Sequence, residues 1–422
     1  MGSGAATAAP ITEPDWLKAL RARGRSRYQE LPVPNQKQKG WEFTDLTRFD
    51  PDSFPVVDGG DLDTEPAHAP LVAAHDRPAV AAVDAAAQAR VETVPEGVTV
   101  CTLAEAIRDH PVVVKAHLGS LVADGDKFAA QNTMSFAAGA FVHVKAGVQV
   151  PEPLVITALQ ASAGVMPWRS LIVVEDGAEL TVAEQFLSAD DELEAYFNPV
   201  SEVIVGDGAS VSYLCVQDLS ERTWVLGSQR TKVGRDASIH WVGLGLGSGQ
   251  GKLRMETDIT GRGANARVTG AYVGHGSQHI DYDTTQEHAA PDTTSDLAFR
   301  GILRDRATAV WSGMIRVDPG AQRTDAFQEN RNLILSDGAH ADAIPGLEIE
   351  ANDVRCTHAA TVGRIDAEQL FYLMSRGLTR GEAERLLVGG FLEVIAGRLE
   401  DSPFLHEVVS AALERELARV LA

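Results

Sequence analysis

SLIVVEDGAELTVAEQF (residues 170–186) and SEVIVGDGASVSYLCVQ (residues 201–217) decide the fold. Each is a pair of short β-branched, alternating runs broken by Asp-Gly, and each places an alanine directly after the turn. FVHVKAGVQV (141–150) before them and TKVGRDASIHWVGLGLG (231–247) after them have the same character. The turn followed by a small residue recurs at Asp176-Gly-Ala, Asp207-Gly-Ala, Arg235-Asp-Ala, Arg262-Gly-Ala, Asp305-Arg-Ala and Asp337-Gly-Ala. The intervals run near 30 residues except one of about 43 between Arg262 and Asp305, which signals an insertion or a missed turn. Repeated corner chemistry is what a parallel β-helix requires, because equivalent corners stack and only small side chains fit between them. The three Asp-Gly pairs also suit hairpins, so an antiparallel sandwich stays open as the alternative.

Outward from this core the pattern changes. Residues 1–10 are Gly/Ala/Ser-rich and are expected to lack order. Pro14–Tyr28 reads as a short helix, 50–100 as irregular, and 120–140 as containing a helix. At the other end, Asp366 with Gln369 starts a helix that Gly377 stops, and Thr379 with Glu382 forms a capping box for the next. Ser402-Pro403 starts a third. Gly389-Gly390 inside the second helix costs about 1 kcal/mol per residue relative to Ala, which points either to a weak spot or to another backbone approaching closely. The expected division is an N-terminal region, partly helical and irregular (1–135), a parallel β-helix core (136–364) and a C-terminal helical unit (365–422).

The chain has 422 residues, 44% hydrophobic, with 37 Lys+Arg against 59 Asp+Glu and a formal net charge of −22. That balance argues against binding nucleic acid or an anionic membrane. Cys101, Cys215 and Cys356 are far apart, which excludes a disulfide framework and a self-contained zinc site and suits a reducing compartment. No leader pattern and no membrane-length apolar run is present, so a cytoplasmic location is expected.

The chemistry-bearing motifs are few. GLGLGSGQGK (243–252) fails the P-loop spacing, because Leu246 stands where a glycine is needed and Leu253 follows Lys252. His275, His279 and His288 lie among Asp281, Asp283, Glu287, Asp292 and Asp296; a polar, exposed corner explains them better than a metal site. Cys356 and His358 are two apart, so an extended backbone sets both on one face roughly 7 Å apart. Two ligands cannot close an iron–sulfur site, which takes four, so any cluster there needs a second protein or small-molecule ligands. No G-x-S-x-G, HExxH or strong acid pair is present, and the chain is expected not to be an enzyme. A β-helix enzyme acting on carbohydrate is the competing reading, by fold analogy.

LEIEANDVRCTHAATVGRIDAEQLFYLMSRGL (347–378) resembles the SufB/SufD family of iron–sulfur cluster assembly proteins. WEFTDL (41–46) and Asn332-Leu333-Ile334-Leu335 add to the likeness, as do length and order along the chain. The SufD branch fits better than the SufB branch, whose members are longer and differ where this chain has CTHAATVG. Ala359 departs from the glycine that relatives often carry. The resemblance implies a right-handed parallel β-helix with helical ends. It implies pairing with a SufB-like paralogue, or with a second copy when alone, and docking of a SufC-like ATPase in a SufBCD scaffold complex that supports cluster assembly and iron acquisition. It implies a transient iron–sulfur cluster shared with SufB, with reduced flavin as an electron source in the complex and no nucleotide bound by this chain. His358, with Cys356 beside it, matches the ligand position at the interface. Leu370, Phe371, Tyr372, Leu373, Arg376, Gly377, Glu382 and Leu386 match the ATPase-docking region.

Overall fold

The computed structural model describes residues 13–421 apart from 75, 76, 92 and 123. The segment 1–10, expected to lack order, lies outside them. The core is a two-sided parallel β-solenoid in which consecutive strands alternate between two sheets. One sheet holds β4 (Ala138–Val144), β6 (Val165–Val174), β8 (Tyr196–Val205), β10 (Trp224–Val233), β12 (Gln250–Ile259), β14 (His279–His288), β16 (Thr308–Val317) and β18 (His340–Ile349). The other holds β5 (Leu154–Gln160), β7 (Glu179–Ser188), β9 (Ser210–Asp218), β11 (Ser238–Gly245), β13 (Asn265–Gly274), β15 (Thr294–Leu303), β17 (Asp325–Ile334) and β19 (Arg355–Arg364). Registers are continuous: Asn265 pairs with Thr294, Thr294 with Asp325, and Asp325 with Arg355. All these pairings are parallel, which removes the sandwich alternative.

Side chains alternate into and out of the solenoid along every strand. The bore is filled by Trp168, Phe186, Phe197, Tyr213, Trp241, Tyr272, Phe299 and Trp311, each 0–1% exposed. Burying each such side chain stabilises by about 1.5–3 kcal/mol. The corners behave as the small-residue repeat requires. Gly177, Gly208, Asp236 and Gly263 turn with φ of +65°, +66°, +52° and +73°. The alanines that follow, Ala178, Ala209, Ala237 and Ala264, are 0–1% exposed. Backbone hydrogen bonds tie one corner to the next: the amide of Gly177 donates to Asp207 O, Gly208 to Arg235 O, and Asp236 to Arg262 O.

The six expected corners prove to be two lines. Asp305 and Asp337 turn the chain on the opposite edge, together with Ser248 and Gly276. The missed members of the first line are Asp292 and Arg323, both at φ +61°. The interval of about 43 residues is therefore a step from one edge to the other, not an insertion.

The first coils are extended by N-terminal strands. β1 (Ala79–Val83) pairs in parallel with β5 and forms a hairpin with β2 (Ala86–Arg90), while β3 (Val98–Thr102) pairs antiparallel with β4. The stretch expected to be irregular thus carries three strands; short alanine-rich runs between Asp, Pro and Gly give little periodic signal. α1 (Asp15–Glu30), α2 (Leu103–Asp109), α3 (Pro111–His117) and α4 (Lys127–Ser135) cover the first sheet near this end. The loop after α1 places Trp41 and Phe49 against Phe128, Tyr196 and Leu226.

α5 (Ala367–Ser375), α6 (Arg380–Gly397) and α7 (Pro403–Val420) follow the last strand with the expected starts: Asp366 caps α5, and Thr379 with Glu382 caps α6. α6 and α7 lie on the outer face of the second sheet. Val388, Leu392, Ile395, Val409 and Leu413 share one cluster with Val242, Leu244, Val273 and Ile302. Arg415 reaches Asp218 at 2.6 Å and Arg419 reaches Glu221 at 2.7 Å.

Candidate functional site

β18 and β19 are the last strands of their sheets, each paired on one side only. In-register neighbours identify which side chains face the bore. Ile315 and Val317 are fully buried and align with Leu347 and Ile349. Ala326, Gln328, Asn330 and Asn332 align with Cys356, His358, Ala360 and Val362. Cys356 and His358 therefore sit on the bore-facing side of the last coil, as alternation along one strand requires. Among the described residues no further coil covers them. The apolar side chains there are correspondingly open: Leu347 is 37% exposed, Ile349 41% and Val362 45%, with outward-facing Ile344 at 40%.

The two candidate ligands have different surroundings. Cys356 is half-buried against a cluster of Ile315, Val317, Ala321, Ala326 and Ala351. Burial, and to a lesser degree the carboxylate of Asp325, push its thiol above the ordinary range, which keeps it protonated at neutral pH. His358 is exposed. Among the described residues no group of three or more His, Cys, Asp and Glu side chains is arranged to hold a metal ion. A thiol and an imidazole at an open end supply two soft donors and need the rest from elsewhere.

The histidine-rich stretch 275–288 is structural, and it is not the exposed corner expected: most of it is strand β14, with His288 buried and His275 and His279 half-buried, because the neighbouring coils cover it. His288 is fully buried between Thr293 Oγ1 at 2.8 Å and Ser295 Oγ at 2.9 Å, and burial pushes its pKa down to about 4. His279 meets Thr308 Oγ1 at 2.8 Å, and His275 faces Glu221. Cys215 lies inside the bore, and Cys101 is pushed up to about 12 by burial.

The second candidate surface is helical. α5 buries none of its residues. Phe371 is 73% exposed and Tyr372 54%, with Leu370 and Leu373 half-buried beneath them. Arg376 stands over the Tyr372 ring at 5.1 Å, and Gly377 turns the chain at φ +100°. Glu382 is occupied by its capping box, whereas Leu386 on α6 is 57% exposed. Between α6 and α7 runs a groove of 440 Å³ floored by Gly389 and Gly390. A side chain at Gly390 would meet nothing within 4 Å, so no contact among the described residues requires that glycine.

What the sequence reading missed is the lining beneath the open coil. Gln328, Asn330 and Asn332 alternate along β17 and are 0–2% exposed on its bore-facing side. Their period of two inside a strand was the available signal.

Residues 157–391 match the SUF system FeS cluster assembly SufBD core domain, and residues 9–156 match the SufBD protein N-terminal region. The chain is 32% identical to the iron–sulfur cluster assembly protein SufD of Bacillus subtilis (strain 168), over 96% of this chain and 95% of that protein. It is 34% identical to an iron–sulfur cluster assembly SufBD family protein of Mycobacterium tuberculosis, over 69% of this chain and 74% of that one. A SufBD family protein of Synechocystis is 26% identical over 90% of this chain and 87% of its own length.

Proposed function

The chain belongs to the SufBD family of iron–sulfur cluster assembly proteins, and from that premise we propose that it is a non-catalytic, SufD-type subunit of a cluster-assembly scaffold. It pairs end to end with a SufB-like paralogue through β18 and β19. It offers α5 and the exposed side of α6 to a SufC-like ATPase, which supplies the nucleotide chemistry this chain lacks. His358, with Cys356 beside it, contributes to a transient cluster that is cargo of the seam.

The observation that carries the reading is the unfinished last coil. Its two strands leave unpaired backbone edges, and its bore-facing apolar residues stand open. Such an edge invites another strand, and a paralogue would extend both sheets at once. The raised thiol of Cys356 fits a ligand that ionises only when metal reaches it. The exposed aromatic face of α5 fits the second docking role, because aromatic and aliphatic anchors dominate interface energetics.

Co-expression with a SufB-like chain and an ATPase, followed by iron and sulfide analysis, tests this. His358→Ala is expected to leave the complex assembled and to abolish cluster formation; an unchanged cluster yield would remove the ligand role. Phe371→Glu with Leu373→Glu is expected to abolish ATPase co-purification while the solenoid still folds.

A further inference from the structure

One side chain in the lining beneath the open mouth spans the bore. Gln328, 1% exposed, reaches across the bore from β17 and donates its Nε2 hydrogens to Gly313 O at 3.3 Å and Gly346 O at 3.0 Å on the other sheet. This fixes the carboxamide. A glycine at 313 makes room for it and for the Trp311 ring: a Cβ there would lie 2.2 Å from Trp311 Cη2 and 2.5 Å from Gln328 Oε1. With both donors spent, Oε1 remains a buried acceptor without a hydrogen-bond partner among the described residues. An unmet buried acceptor is costly, so its place beneath the mouth asks for a donor.

The next coil supplies one. His358 is the in-register neighbour of Gln328 on the same bore-facing side, roughly 4.8 Å along the solenoid axis. Its imidazole is exposed while the coil is uncovered, and it shares the bore-facing side of the carboxamide. The neighbouring amides already hold one another. Tyr272 Oη donates to Asn332 Oδ1 at 2.5 Å, Asn332 Nδ2 to Asn330 Oδ1 at 2.6 Å, and Asn330 Nδ2 to Tyr272 Oη at 3.1 Å. That ring closes on itself.

We propose that Gln328 is a positioning residue for His358: its anchored carboxamide accepts one imidazole N–H through Oε1, fixes the tautomer, and leaves the other ring nitrogen free to bind metal at the seam. The logic is that of any metal-binding histidine, whose second nitrogen is held by an acceptor behind it. The proposal rests on the ligand role given to His358 above.

The two ends of the carboxamide separate positioning from bracing. Gln328→Met removes both donor and acceptor; Gln328→Glu keeps an acceptor but loses the two anchoring N–H groups. The probe is the His358 ring in the full-length chain, with ¹⁵N-histidine, at mildly alkaline pH where the imidazole is neutral, assigned by loss of its signals in His358→Asn. In the wild type the tautomer ratio is expected to be displaced about fivefold from that of free histidine, the shift one ordinary net hydrogen bond provides. Gln328→Glu is expected to keep that displacement, and Gln328→Met to lose it, although both lower thermal stability by losing the brace. A wild-type ratio equal to free histidine, or the same ratio in wild type and Gln328→Met, overturns the proposal. In the co-expressed complex, Gln328→Met is expected to lower cluster yield at least about tenfold and Gln328→Glu to lower it less. If His358→Ala leaves that yield unchanged while the tautomer result holds, the ligand reading fails and the Gln328–His358 contact stands.

Discussion

Ile315 and Leu347 are neighbours in register, facing the same bore one coil apart, yet one is fully buried and the other 37% exposed. Val317 and Ile349 repeat the contrast at 0% and 41%. Residue class and strand face are alike; what differs is the coil that follows. The last coil is thus interior without its lid. The helical end offers a second version of the contrast, since Val388 and Leu392 of α6 are sealed onto the second sheet while α5, a few residues earlier, buries nothing.

This contrast can be broken. Ile315→Ala is expected to cost about 2–5 kcal/mol in chemical denaturation of the isolated chain, because the site is closed on all sides and leaves a cavity. Leu347→Ala, with the same face but no lid, is expected to cost under about 1 kcal/mol. Equal costs would mean that the last coil is packed in solution by something else.

Acid probes the same interior. His288 is held near a pKa of 4 in the folded chain, against an ordinary value of 6.5. Between these values the unfolded chain takes up the proton and the native state does not. Stability is therefore intact above about pH 6.5 and falls as the pH drops towards 4, by up to about 3 kcal/mol. Urea titrations across that window should show the loss, and His288→Gln should flatten it. His240, also pushed down to about 4 by burial beside Arg267, adds a slope of the same sign.

Corner stacking gives a smaller effect. Ala237→Val inserts methyl groups where the site is 1% exposed, and is expected to cost about 1–3 kcal/mol by overpacking. The smallest effect on folding is expected at the open end. Ile349→Lys should shift the stability of the isolated chain by no more than about 0.5 kcal/mol. Yet it should abolish co-purification with the proposed SufB-like paralogue, because it would place a charge in the proposed seam.

Much of this was legible in the sequence, for identifiable reasons. A corner that must be small and must turn at positive φ leaves a repeated signature, so Asp176-Gly-Ala and Asp207-Gly-Ala favoured the solenoid over a sandwich, and the parallel pairing decided it. Capping residues are local, and Asp366, Thr379 and Glu382 announced their helices correctly. Less legible was anything depending on which edge a corner occupies. Asp305 reads like Asp207 in sequence although it turns on the opposite side. The N-terminal strands were missed because Ala79–Val83 and Ala86–Arg90 are held by pairing with β5 and with each other, not by a strong alternation of their own. Cys356 and His358 could be put on one strand face from spacing alone, but not at an open end.

The amino-acid sequence by itself determined the repeating coil, its small-residue corners, the capped helices and the shared face of Cys356 and His358, because each depends on backbone preferences or side-chain period within a few residues. Only the tertiary structure decided that this face ends the solenoid, that Gln328 spans the bore beneath it, and that α5 stands uncovered. Exposure belongs to what lies across a contact, and those neighbours come from distant parts of the chain or from no part of it.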